Sequence, residues 1–215
     1  MNAFMRRALT MLSLCLLVLA PLSLASAASD KVTVVNNRGP LVNASFSSID
    51  PSGCIQTDVF VSANRDTYQQ LPGRGTTTGI GSVNVFEYDA CSDTTILQAV
   101  GETDTLGAAD FQVSRQYDWA WLHTTISVTN IDTGEPFDLK VDVTWVGTSA
   151  LYRDHENTND FYGGGCHVLN RWKGTGRTAD ASGVVTEGAT NFTPATSVNG
   201  EIGVVIDGFE VIDCP

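Results

Sequence analysis

Lysine is nearly absent from this chain: Lys31, Lys140 and Lys173 are the only three in 215 residues, and Lys and Arg together number 12 against 24 Asp and Glu. Without clustered basic side chains there is nothing to neutralise a run of phosphates, so nucleic acid is excluded as a natural partner. An anionic membrane surface is disfavoured on the same ground. Beyond the first 27 residues no apolar run approaches the roughly 20 residues needed to cross a bilayer as a helix. From Val32 onward no stretch repeats its apolar residues with the helical period, which argues against a helical domain. Several chemical signatures are missing as well. The cysteines lack the Cys-x-x-Cys spacing of a zinc site, and there is no Gly-x-Ser-x-Gly nucleophile elbow. The glycine-rich stretches Gly73-Arg74-Gly75 and Gly163-Gly164-Gly165 neither open a helix nor end in Gly-Lys-Ser/Thr, so they are not phosphate loops.

The N-terminus has the three-part layout of a secretory leader. Arg6 and Arg7 supply the positive region, residues 8–20 are almost wholly apolar, and Ala25-Ser26-Ala27 is a small-x-small cleavage signal. Cys15 follows Leu14 rather than a small residue, so it does not read as a lipidation cysteine. The expected division is therefore a signal peptide over 1–27 and a single domain over 28–215, secreted or otherwise extracytoplasmic, with no membrane span after cleavage. The mature 188 residues suffice for one domain with a real core, and their ten bases against 24 acids give a net charge of −14. Solubility is the ordinary use of such an excess. Four cysteines remain, Cys54, Cys91, Cys166 and Cys214. An even number outside the cytoplasm reads as two disulfides with three possible connectivities. Pairing near neighbours, Cys54 with Cys91 and Cys166 with Cys214, closes the smaller loops and is the expected arrangement.

The rest of the chain reads as short segments rich in Val, Ile, Thr and aromatics, cut by turn residues. They fall at 32–36, 41–48, 55–62, 82–88, 94–100, 111–115, 119–130, 137–146, 168–172, 183–187 and 201–212. That spacing predicts an all-β fold, an antiparallel β-sandwich of jelly-roll or immunoglobulin-like kind. Placing a two-residue turn at Thr133-Gly134 pairs Val128 with Leu139, Ile126 with Val141, Thr124 with Val143 and Leu122 with Trp145, one dry face, while Ser127, Thr125 and His123 share a wet face with Lys140, Asp142 and Thr144. Trp145-Val146-Gly147-Thr148 and Trp172-Lys173-Gly174-Thr175 echo each other, each read as a strand end. Asn43-Ala44-Ser45 and Asn191-Phe192-Thr193 fit the N-glycosylation pattern.

Two places carry candidate function. Tyr117, Trp119, Trp121 and His123 recur with period two, so in a strand they project to the same, solvent side. Such an aromatic row suits the flat faces of sugar rings or an extracellular protein partner. The second place is 152–167, read as a loop. Asp154, Glu156, Asn159 and Asp160, with Asn157, are candidate oxygen ligands for Ca²⁺, although the spacing is not that of an EF-hand. His155 and His167 with a carboxylate are candidates for a transition metal. Asp154, His155 and Glu156 also give the one case for acid–base hydrolysis, since a glycosidase needs two carboxylates across the scissile bond. The leading expectation is a non-catalytic exported binding or surface-associated domain, with polysaccharide a candidate ligand. The alternatives are a secreted hydrolase working through residues 153–160, metal-assisted or not, and a passive matrix or envelope component.

Overall fold

The structure, a computed structural model, describes residues 33–71, 76–161, 167–193 and 199–213. The leader, Cys166 and Cys214 lie outside these residues. Eleven strands form among them, and no helix: β1 (Thr33–Ile49), β2 (Ile55–Leu71), β3 (Thr76–Asp89), β4 (Thr94–Thr103), β5 (Phe111–Val113), β6 (Trp119–Asn130), β7 (Pro136–Gly147), β8 (Tyr152–Phe161), β9 (His167–Glu187), β10 (Thr190–Asn191) and β11 (Asn199–Asp213). All strand pairings between these elements are antiparallel.

The strands make one sheet, and the sheet closes. Its path runs β9-β11-β1-β2-β3-β4-β6, and β7 pairs with both β6 and β9, so eight strands complete a ring. Eight strands leave an interior just wide enough to be filled by side chains. Here it is filled by Val42 and Phe46 of β1, Val61 of β2, Val85 of β3, Ile126 of β6, and Leu139 and Trp145 of β7, in one apolar cluster. The all-β antiparallel fold expected from the sequence is what forms. Its sandwich form is restated in one respect: opposite walls pack across a common core, but hydrogen bonds run unbroken from one wall to the other through β6, β7 and β9. The indole of Trp145, fully buried, donates across that core from β7 to the Asn43 carbonyl of β1 at 2.7 Å. A buried indole N–H left without an acceptor would be costly, and this bond satisfies it.

Strands longer than expected carry the sheet past the ring. Segments 32–36 and 41–48 fuse into β1 across a bulge between Asn37 and Gly39. Segments 168–172 and 183–187 fuse into β9, whose polar, glycine-containing middle had read as a connection. Trp172 therefore lies within β9, half-buried, rather than ending a strand. The edge of β9 is shared end to end: β8 occupies it from His167 to Gly176 and β7 from Ala179 to Thr186. Between them Thr148 donates to the Thr178 carbonyl at 2.9 Å, and the Thr178 amide donates to Ser149 Oγ at 3.0 Å.

The hairpin of β6 and β7 has the expected faces in a different register. Ile126 pairs with Leu139, Thr124 with Val141, Leu122 with Val143 and Ala120 with Trp145, two residues away from the register centred on Thr133-Gly134. The turn is larger than two residues. The Asn130 amide donates to the Glu135 carbonyl at 3.0 Å and Gly134, at φ 74°, to the Asn130 carbonyl at 2.8 Å. The Asn130 side chain caps the amides of Asp132 and Thr133. Because side chains alternate with period two, a two-residue slip leaves the same residues inside.

Cys54 and Cys91 are bonded, with Cα atoms 5.2 Å apart, and tie the β1–β2 turn to the β3–β4 turn. The sequon residue Asn43 sits in the middle of β1 and donates to Glu201 at 3.3 Å, whereas Asn191 is exposed in β10.

Two predictions follow from this packing. Val141 is on the dry face and almost fully buried, so Val141→Asp places an unpaired charge in the core and should cost about 4 kcal/mol or more. Equilibrium denaturation reads this, and a variant as stable as the parent would disprove the face assignment. The last described rungs between β11 and β9 are Ile212↔Val168 and Asp213↔His167. Cys166 and Cys214 lie outside the described residues, and the case for a second bridge is the sequence's: with Cys54 and Cys91 joined, they are the two cysteines left after residue 27. Residues 28–215, produced in an oxidising compartment and unfolded without reductant, should therefore show no free thiol to a thiol reagent; two free thiols would reject the second bridge.

Candidate ligand-binding face

On β6 the residues Ala120, Leu122 and Ile126 point into the core, so Trp119, Trp121 and His123 point out. Trp119 is 42% exposed and the His123 side chain 48%, with Trp121 half-buried between them. The expected row therefore exists in three of its four members. Tyr117 leaves it. Its backbone lies in the left-handed region (φ 56°), in the turn joining β5 to β6, and its ring packs against the core cluster. A non-glycine residue at positive φ is strained, and two turn bonds hold it there: the Tyr117 amide to the Ser114 carbonyl at 3.1 Å and the Ser114 amide to the Trp119 carbonyl at 2.9 Å. The Ser114 hydroxyl donates to Asp118, and this bond holds the Asp118 carboxyl below its ordinary value.

The rings are set by their neighbours. Trp121 and His123 have centroids 4.8 Å apart with planes tilted by 35°. His123 Nδ1 lies 2.6 Å from Asp142 Oδ1 on β7, its direct cross-strand partner. That contact fixes the orientation of the imidazole against β7. Residues the sequence did not single out complete the face. Trp121 sits between Gln112 of β5 and Thr144 of β7, and Thr144 pairs onward with Ser182 of β9. Trp119 pairs with Val146, which is 55% exposed. This arrangement offers two indoles for stacking and a cross-strand line of amide and hydroxyl groups for hydrogen bonds.

The acidic segment is a strand rather than a loop. Residues 152–161 form β8, hydrogen-bonded along β9. Alternation then sends Asp154, Glu156 and Asp160 to one face and His155, Asn157 and Asn159 to the other. The four proposed Ca²⁺ ligands are thus not gathered: Asn159 faces away from the three acids and is hydrogen-bonded to His167. Asp154 accepts the His155 amide at 2.8 Å. His155 pairs with Lys173, six positions along β9 from His167, so the two imidazoles are rooted about 20 Å apart and share no metal. Asp154 and Glu156 lie opposite in direction to His155, which removes the acid–base cluster expected there. The segment hid its nature because both of its faces are wet, and no apolar alternation marks such a strand. Among the described residues the group of metal-type ligands close enough together is Cys54, Asp89 and Cys91, and its two sulfurs are already joined to each other.

A carboxylate the sequence did not point to stands out instead. Glu201 of β11, half-buried on the outer face, accepts from Asn43 at 3.3 Å and from the hydroxyl of Tyr152. Tyr152 reaches it across Gly176, where a Cβ would lie 3.0 Å from both the Tyr152 hydroxyl and Glu201 Oε1. Burial pushes the Glu201 carboxyl above its ordinary value, with the Asn43 bond opposing in part.

No family model and no curated protein matches the chain. One solved structure, the enduracididine biosynthesis enzyme MppR complexed with the condensation product of pyruvate and imidazole 4-carboxaldehyde, aligns over 89% of this chain and 91% of its own at 8% identity, with a TM-score of 0.26. At that score the alignment carries no argument about fold or activity.

The Glu201 arrangement yields a pH prediction. A carboxyl raised in the folded state contributes stability fully present below its unfolded value near 4.5 and lost as pH rises through the folded value. Glu201→Gln removes that ionisation, so the variant should melt higher at neutral pH and show a flatter dependence of Tm on pH from 4.5 upward. Identical Tm–pH profiles for variant and parent would reject this role.

Proposed function

We propose that this is an exported, non-catalytic binding domain whose ligand lies on the Trp119–Trp121–His123 face, with polysaccharide as the ligand. The observation that carries the reading is the pair of outward tryptophans on adjacent outward positions of β6, with no described layer covering them. A domain that left one indole 42% exposed beside a second, half-buried one without use would give up burial each could have gained, so an outward aromatic row points to recognition. The leader layout and the four cysteines beyond it support export, and the Cys54–Cys91 bond suits an oxidising compartment. The hydrolase alternative rested on residues 153–160 gathering acids and a histidine in one loop, and β8 takes that support away.

Depletion from solution on a panel of insoluble polysaccharides is the test. The mature protein should be retained on at least one polymer, and the double variant Trp119→Ala, Trp121→Ala should stay in the supernatant while keeping the parent's circular dichroism. Equal retention of a folded double variant would show that the face is not the binding surface.

A further inference from the structure

Resting on the binding reading above, we infer that the ligand of this face is an uncharged glycan chain, and that Gln112, Thr144 and the His123–Asp142 pair contact its hydroxyls. Three features of the face select this chemistry. The first is its mixed character. Trp119 and Trp121 stand about 7 Å apart along β6, as alternate residues in a strand do. The row through Trp121 crosses four strands as Gln112, Trp121, Thr144 and Ser182, about 14 Å wide. Stacking surface is thus interrupted every few ångströms by a hydrogen-bonding side chain. A sugar polymer has that alternation, with apolar ring faces bordered by hydroxyls. An apolar protein patch does not, and would leave these polar groups unpaired on docking.

The second feature is sign. Asp118 adjoins Trp119 in sequence, Asp142 is the cross-strand partner of His123, and Asp180 pairs with Val146, itself the partner of Trp119. Three carboxylates therefore stand around the rings, against Lys140 one outward step beyond Asp142, Arg115 in the turn before β6, and Arg177, whose guanidinium donates to the Gln116 carbonyl at 3.1 Å and whose charge helps lower the Asp118 carboxyl. On the rungs of Trp119 and His123 themselves the charge is negative. A uronate or sulfated polymer would bring like charges against Asp118, Asp142 and Asp180. The third feature is hydrogen-bond polarity. Asp142 Oδ1 lies 2.6 Å from His123 Nδ1, and Gln112 donates one of its two Nε2 hydrogens to the Ala108 carbonyl at 3.0 Å. Gln112 keeps its second Nε2 hydrogen and its Oε1, and Thr144 adds a hydroxyl, so the face offers donors and acceptors together. A ligand of hydroxyls, each both donor and acceptor, matches them.

Affinity electrophoresis of the mature protein, in gels containing a neutral glucan, a neutral mannan, polygalacturonate or chitosan, tests the inference at low and high salt. Retardation is expected in a neutral polymer, insensitive to salt, abolished by Trp119→Ala with Trp121→Ala, and weakened roughly fivefold to tenfold by Thr144→Val or Gln112→Ala, the loss of one hydrogen bond. Retardation confined to polygalacturonate or chitosan, or lost at high salt, but still abolished in the tryptophan variant, would overturn the uncharged ligand and leave the binding face standing. No retardation in any polymer, or retardation unchanged in a folded tryptophan variant, would overturn both.

Discussion

Closure of the hydrogen-bond ladder between β7 and β9 is the constraint on which this molecule depends. Without those eight rungs, from Lys140↔Thr186 to Gly147↔Ala179, the sheet would end in two long open edges and its apolar faces would have no opposite wall. With them, the inward residues of eight strands fill one interior, and Trp145 can span it to reach Asn43. The seam elsewhere in the ring is thin, since β4 and β6 share only three rungs, Ala99↔Asn130 to Gly101↔Val128. The β7–β9 pairing therefore bears much of the closure, and the β6–β7 hairpin that delivers β7 to β9 is central to the fold.

The same closure fixes the candidate ligand face. Once Ala120 and Leu122 are committed to the core, the backbone has no freedom over where Trp119, Trp121 and His123 go. The four tryptophans consequently have different fates by parity and position. Trp145 spans the core, Trp119 and Trp121 point outward from the sheet, and Trp172 is a half-buried residue of the sheet beyond the ring. Asp142 pairs with His123 because the observed register sets them opposite, a contact that the two-residue slip would have replaced with Thr144.

That slip marks the limit of what the sequence discloses. The pattern Leu122, Ile126, Val128 against Leu139, Val141, Val143 shows which face is dry, and the structure keeps every one of those residues inside. Register depends on turn geometry, and the Asn130 cap with Gly134 at positive φ makes a longer turn than the Thr-Gly pair suggests. Tyr117 fits the period of the aromatic row, yet a turn ends the strand before it, because serine and aspartate at 114 and 118 bond each other there. β8 was legible only as polar, since a strand wet on both faces has no dry side to advertise. The Glu201–Asn43 contact, between residues 158 apart, is set wholly by strand order, which no local pattern encodes.

β8 also bears on how this protein behaves in company. Among the described residues it pairs only with β9, so its other side presents a row of unmatched backbone groups, the natural template for another chain. Arg153, Asp154, His155, Glu156 and Asp160 line that strand and are all exposed. To add a strand there, a second copy would have to crowd charged side chains of both signs across the new rung, and neither face of the strand offers an apolar row to reward the pairing. The scarcity of apolar residues that made this segment look like a loop is thus also what makes its edge a poor template for fibrils.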